Sequence, residues 1–146
     1  MFTDEITVTG KLNVILVDQM GIVKEEHDFD NLVVTAGKGY IASRMKDATA
    51  TAMSHMAIGT GTTAAAASQT ALVTEANRQA LTSTSVSGAA VTYSATFGAG
   101  NGTGAITEAG LFNASSGGTM LCRTVFSVIN KGAADTLTVS WTVTVS

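Results

Sequence analysis

Leu137-Thr138-Val139-Ser140-Trp141-Thr142-Val143-Thr144-Val145 alternates without a break. Leu137, Val139, Trp141, Val143 and Val145 fall on one side, and Thr138, Ser140, Thr142 and Thr144 on the other. Successive side chains of an extended chain point to opposite faces, so this is a strand with one apolar and one hydroxyl-bearing face. Upstream, strand-like segments recur about every ten residues with glycine turns between them. That rhythm predicts a mainly β fold, an antiparallel sandwich or jelly-roll-like barrel.

Working outward, Ile6 to Val17 reads as a strand, with Val8, Leu12, Val14 and Leu16 at period two. Asp18-Gln19-Met20-Gly21 is a turn whose glycine supplies positive φ. Ile22 to His27 returns antiparallel, and Asp28-Phe29-Asp30 links it to the apolar run Asn31 to Val34. The period then changes. From Thr35 as N-cap, Tyr40, Ile41, Arg44 and Met45 fall at helical spacing to about Asp47. Gly37 and Gly39 oppose that helix by about 1 kcal/mol each. Met53 to Ile58 is a strand that runs into Gly59-Thr60-Gly61-Thr62-Thr63. Ala64 to Ala67 favours helix by propensity but is too short to stand alone, and Ser68 to Thr74 has no clear period.

Arg78 to Ser87 and Ala90 to Phe97 form a hairpin about Ser87-Gly88. After the Gly98 to Gly104 loop, Ile106 to Asn113 and Thr119 to Asn130 flank Ser115-Ser116-Gly117-Gly118. The turn Lys131 to Asp135 leads into the last strand. One short helix near residues 35–47, without repeated strand–helix alternation, argues against a parallel α/β sheet. The expectation is one domain over residues 1–146: an acidic hairpin or arm in 1–30, and a β body in 31–146.

Composition sets that body apart. From Ala48 to Ser146 only Glu75, Arg78, Glu108, Arg123, Lys131 and Asp135 are charged, whereas a soluble domain devotes about a quarter of its residues to charge. A neutral, hydroxyl-rich β surface suits a chain whose surface is largely occupied by neighbours. Eight of the eleven acidic residues precede Ala48: Asp4, Glu5, Asp18, Glu25, Glu26, Asp28, Asp30 and Asp47. They make either a docking face or a solvated hairpin and helix. A formal charge of −3 argues against a nucleic-acid partner. No apolar run is long enough for a membrane span, and the acidic N-terminus lacks the pattern of a secretory signal. A lone Cys122 rules out an intrachain disulfide and fits a reducing compartment.

Candidate chemistry is thin. Gly100-Asn101-Gly102-Thr103-Gly104-Ala105 has the loose form of a dinucleotide fingerprint. That mechanism needs a helix N-terminus next, and Ile106 to Phe112 reads as strand. Gly59 to Thr63 lacks the lysine of a phosphate loop and reads as a turn. Glu25, Glu26, His27, Asp28 and Asp30 could supply a hard cation with oxygen, but strand alternation splits neighbours between two faces. Cys122 sits inside a strand, where cysteine serves as a small apolar group. Neither it nor His55 has an activating partner in sequence, so no catalytic, cofactor or metal residue is assigned. Asn101 and Asn113 lie in formal glycosylation sequons, which have no meaning without a secretory route. Glu75, Arg78, Glu108 and Arg123 are rare charges among apolar and small residues. They are expected to pair, within the domain or across an interface, because an unpaired buried charge is costly.

Several runs, in this order, resemble small structural proteins of tailed bacteriophages, of the tail-fibre or tail-associated type. They are Asn31-Leu-Val-Val-Thr-Ala-Gly-Lys, Met56-Ala-Ile-Gly-Thr-Gly-Thr-Thr, Thr70-Ala-Leu-Val-Thr-Glu with Arg78, Ile106-Thr-Glu-Ala-Gly-Leu-Phe-Asn, Gly117-Gly-Thr-Met-Leu-Cys-Arg-Thr-Val-Phe and the last strand. The resemblance implies a virion protein with an oligomeric β fold, no enzymatic activity and no cofactor, partnered by other virion proteins. A homo-oligomer is expected, with a trimer favoured.

The chain has no heptads or repeats for a long shaft. It is therefore not a complete long fibre, and the resemblance implies a tail-associated fibre base, adaptor or short appendage as the leading reading, with capsid decoration as the alternative. A host-glycan-binding module is the third. It would need Tyr40, Tyr93 or Trp141 clustered at the surface as an aromatic platform.

Overall fold

The computed structural model describes residues 4–46 and 50–146. Asp47, where the helix was expected to end, and Ala48 lie outside the described residues. In chain order the elements are β1 (Val8–Val17), β2 (Val23–Asp30), β3 (Leu32–Val33), α1 (Thr35–Lys46), β4 (His55–Gly59), β5 (Glu75–Ala80), β6 (Ser83–Ser87), β7 (Ala90–Phe97), β8 (Gly104–Phe112), β9 (Met120–Lys131) and β10 (Thr136–Val145). They build two five-stranded sheets with every pairing antiparallel. The first sheet has the order β2-β1-β10-β7-β6, the second β3-β9-β8-β4-β5. This is the antiparallel sandwich that the strand rhythm predicts.

The alternation of β10 sets the core. Leu137, Val139, Trp141 and Val143 point inward and are buried, while Val145 stays partly exposed at the end of the strand. Leu12, Val14 and Leu16 of β1 and Tyr93, Ala95 and Phe97 of β7 join them. Across the sandwich they meet Met56, Ile58, Ile106, Leu111, Leu121 and Ile129 of the second sheet. Burying each large apolar side chain contributes roughly 1.5–3 kcal/mol. The N-terminal hairpin is not an arm: β1 lies inside the first sheet, paired with β10 on one side and β2 on the other.

Strand ends shift by a few residues throughout, and two differences from the sequence reading go further. Asp28-Phe29-Asp30 is not a link but the end of β2, where Phe29 stacks on Phe126 with centroids 4.7 Å apart. Arg78 to Ser87 is not one strand. The Leu81 N–H donates to Ser54 O at 2.9 Å, beside the second sheet, and the Thr82 N–H donates to Ser94 O at 2.8 Å, in the first. The chain changes sheets between those two residues, so β5 and β6 are edges of different layers. Neither β-propensity nor periodicity registers such a corner, because both halves are extended.

Thr35 is the first helical residue of α1 rather than its N-cap: the Lys38 N–H donates to Val34 O at 3.1 Å, which puts Val34 in the N-cap place. Gly37, a weakness by propensity, is what lets the helix sit on β9. A Cβ there would collide with the Leu121 carbonyl. Met45, placed on the apolar side of the helix by spacing, is exposed.

Candidate assembly surface

The rare charges organise the second sheet. Glu108 of β8 and Arg123 of β9 lie on its outer face, and both are fully buried. Gly110 is opposite Arg123, and Glu108 is opposite Val125, so the two are diagonal neighbours in the ladder. Arg123 Nη2 and Nε donate to Glu108 Oε2 at 2.7 and 3.1 Å. What buries them is the irregular segment between β4 and β5. The N–H groups of Gly61, Thr74 and Val73 donate to the Glu108 carboxylate at 3.0, 2.7 and 3.1 Å. Arg123 Nη1 donates to Thr63 O and to Gln69 Oε1 at 3.0 and 2.9 Å, and Thr107 Oγ1 donates to Gly61 O at 2.8 Å.

Burial pushes the Glu108 carboxyl up. The Thr74 N–H, the Arg123 guanidinium and the Val73 and Gly61 N–H groups outweigh it and hold the carboxyl below its ordinary value. Beneath the same segment, Leu72 packs with Val34, Ala57, Phe112 and Met120 in a second small core. The segment is thus a roof over the outer face of the second sheet.

This roof explains the glycines of Gly59 to Thr63, read from sequence as a turn at a strand end. A Cβ on Gly61 would stand 2.6 Å from Glu108 Oε1 and 2.8 Å from Val73 Cβ. The glycine is needed for close approach to a buried carboxylate of the protein itself. Arg78 plays a parallel part. It binds Glu75 through two bonds at 2.7 and 3.1 Å, lies 3.8 Å over the Phe112 ring, and holds the β8–β9 turn through Ala114 O and Gly117 O, both at 2.9 Å. The four candidate charges therefore meet as two pairs inside this chain. Lys24 Nζ reaches Asp135 Oδ2 at 2.8 Å, tying β2 to the β9–β10 turn.

The first sheet has an outer face of another kind. Thr92 and Thr142 hydroxyls meet at 3.0 Å, and Ser94 and Ser140 at 3.3 Å. No charge stands on β6, β7 or β10. Its two edges differ sharply. The β2 edge carries Lys24, Glu25, Glu26, Asp28 and Asp30, the charge that natural edges use against unwanted pairing. The β6 edge, Ser83-Thr84-Ser85-Val86-Ser87, has none, and all five residues are exposed, Val86 to 72%. Beside it an apolar groove of about 410 Å³ opens at the end of the sandwich, lined by Tyr40, Met45, Val86, Val91, Tyr93 and Val145 among others.

Nothing in the described residues assembles a reactive centre. Burial pushes the Cys122 thiol far up, away from the reactive thiolate. His55 Nδ1 is paired with the neighbouring Ser54 Oγ at 2.7 Å rather than with Cys122. Glu25 sits with His27 at 3.1 Å, while Glu26 and Asp28 turn to Asn13 at 3.2 and 3.0 Å. Among the described residues no group of three or more His, Cys, Asp or Glu could hold a metal ion. The glycine loop after β7 leads into strand β8, not a helix, so no dipole faces a phosphate.

The family comparison supplies the role. A model described as the N-terminal part of phage tail-collar fibre protein matches residues 26–146. The chain belongs to the phage tail-collar fibre protein family. No curated protein and no solved structure matches it. As a member of a non-enzymatic structural family, it is a structural component of the phage tail and hence of the virion, associated with other tail proteins. Membership favours the tail over capsid decoration. The glycan reading loses its platform: Trp141 is wholly inside the core, Tyr93 is buried, and Tyr40 is spent on the Met53 N–H at 3.2 Å.

Gln69 in the roof and Thr107 on β8 beneath it are residues that the sequence reading missed. A signal existed for the pair beneath it. Folding the two segments about Ser115 to Gly118 already brings Glu108 alongside Arg123.

Proposed function

We propose that the domain is a fibre-base, adaptor or short-appendage unit that seats at the tail and assembles as a homo-oligomer, a trimer being the expectation from sequence. The observation that carries this reading is the contrast between the two outer faces. The second sheet is covered by its own chain, while the β10-β7-β6 half of the first presents an uncharged hydroxyl face and an uncharged edge. Such a surface is stable against water yet offers little charge repulsion to a neighbour. The two ion pairs take a supporting role: Glu108–Arg123 and Glu75–Arg78 fix strand register and hold loops, so that the contact surface keeps its shape.

The test is location and stoichiometry. Antibody labelling of intact particles viewed by electron microscopy should mark the tail at its collar or fibre attachment, and native mass spectrometry should give a closed oligomer. Label on the head shell, or a strictly monomeric chain at virion-like local concentrations, would sink the proposal.

A further inference from the structure

We propose that the β6 edge of the first sheet is a contact between two copies of this chain, paired antiparallel about a two-fold axis at Ser85. This deepens the oligomer reading above and rests on it. In the β6–β7 hairpin Ser87 is opposite Ala90 across a two-residue turn, Ser85 opposite Thr92 and Ser83 opposite Ser94. The Val145 N–H bonds Ala89 O, which turns the backbone of Ala90 away from β10 and toward β6. Backbone groups alternate sides along an antiparallel strand. Ser83, Ser85 and Ser87 therefore bond β7, and the N–H and C=O of Thr84 and Val86 face outward on the free edge.

That arrangement is self-complementary. With Ser85 opposite Ser85 of a second copy, Thr84 falls opposite Val86 and Ser83 opposite Ser87. The Ser85 pair is of the non-hydrogen-bonded kind, so the outward groups of Thr84 and Val86 on each copy all find partners on the other. Two β-branched residues meet on the groove side, and small hydroxyls meet on the outer side, both favourable cross-strand pairs. The charge argument selects this edge and this occupant. Like meets like without repulsion because β6 carries no charge, whereas two β2 edges would bring carboxylates together. The other sheet offers less: β3 is two residues long, and β5 carries Glu75, Arg78 and a bulge opposite Gly59. Exposed Val86, Met45 and Val145 rim the adjoining groove, so the same contact would also bring a second apolar rim alongside it.

The contact is two-fold, so it gives a dimer alone, or a hexamer if combined with a threefold axis. Sedimentation velocity of the purified full chain tests it with Ser85→Lys, Ser85→Glu and Val86→Pro. Each lysine or glutamate variant sets like charges directly opposite, and the proline removes an outward N–H that no intramolecular bond uses. Wild type should show an even-numbered species. Each variant alone should weaken that association at least tenfold with its melting temperature kept, and mixing Ser85→Lys with Ser85→Glu should restore it. Amide exchange at Thr84 and Val86 should slow as concentration rises.

An oligomer that none of the variants disturbs, a trimer included, overturns the edge contact and leaves the oligomer reading intact. Failure of the mixture to restore pairing overturns the two-fold register. A wild-type chain that stays monomeric overturns both readings. Protection of Thr84 and Val86 only when another tail protein is added assigns the edge to that protein, and also overturns the proposal.

Discussion

The second sheet and the β10-β7-β6 half of the first reach the same low charge for different reasons. On the second sheet, uncharged residues are interior residues. β8 and β9 are buried on both faces, one against the core and one beneath the roof that Glu108 and Arg123 hold down. On the first sheet, Thr and Ser of β7 and β10 lie half-buried, or exposed at Thr96, on a face that no described segment roofs. A composition that looks uniform from Ala48 onward therefore divides into a self-covered half and an open half. The proposed contact surface lies on the open half. Substitutions of matched chemistry in the two sheets should separate them.

The largest effect is expected from removing one member of the buried pair. Arg123→Met leaves the Glu108 carboxylate without its countercharge and frees the carbonyl of Thr63. Breaking such a pair typically costs about 3–5 kcal/mol, read as a lower urea midpoint. The double change Glu108→Leu with Arg123→Met removes both charges, yet it strands the N–H groups of Gly61, Val73 and Thr74 under the roof. It should recover only part of the loss. Full recovery would mean that the pair matters for charge alone and does not organise the segment above it.

Gly61→Ala comes next. The added methyl meets Glu108 Oε1 and Val73 Cβ well inside contact distance, and overpacking of this kind costs about 1–3 kcal/mol. The open sheet has its own glycine, Gly88 at the tip of the β6–β7 turn, where space is free and an alanine would be opposed only by its positive φ of 58°. Unchanged stability in Gly61→Ala would show that the roof can lift without penalty, and the contrast between sheets would shrink.

Acid should separate the halves as well. Glu108 has a folded pKa below its unfolded value of about 4.3, so the folded state binds its proton less readily. Its contribution is complete above that unfolded value and is lost as pH falls through the lower folded one. Asp135, hydrogen-bonded by Lys24 and the Gly132 N–H, is lowered too and acts in the same direction. The urea midpoint should therefore fall below about pH 4. The fall should be shallower in Glu108→Gln, with Asp135 accounting for the remaining slope. Identical slopes in wild type and Glu108→Gln would remove Glu108 from the acid response.

The sandwich was legible because β10, β1 and the glycine turns announce themselves by period and spacing. The pairing of Glu108 with Arg123 was approachable for the same reason, since a hairpin about Ser115 to Gly118 sets them near each other. The roof was not legible. Thr60 to Thr74 has no period, and its shape is set by long-range bonds to a carboxylate on a distant strand. The sheet change at Leu81–Thr82 is hidden in the same way, as two consecutive residues take partners from different layers. Gly37 shows the opposite error: propensity counts it against a helix, while packing on Leu121 requires it.

The smallest expected effect, that of Thr142→Val, is also the most diagnostic when set beside its counterpart under the roof. Thr107→Val and Thr142→Val delete the same hydroxyl from the two sheets. Under the roof, Thr107 Oγ1 donates to the Gly61 carbonyl, and its loss leaves a buried acceptor unpaired, a cost of about 1–3 kcal/mol. On the open face, Thr142 Oγ1 meets only Thr92 Oγ1 among the described residues, and that hydroxyl can turn to water, while valine suits a strand at least as well. Thr142→Val should stay within about 0.5 kcal/mol, a melting shift of about 2 °C or less for a domain of this size. In assembled particles the ranking should tighten or reverse if the hydroxyl face is covered, because a neighbour's polar groups would then replace water. Equal losses in the free chain would instead make the hydroxyl rows part of the domain's own stability, and the open face would cease to be a surface kept for others.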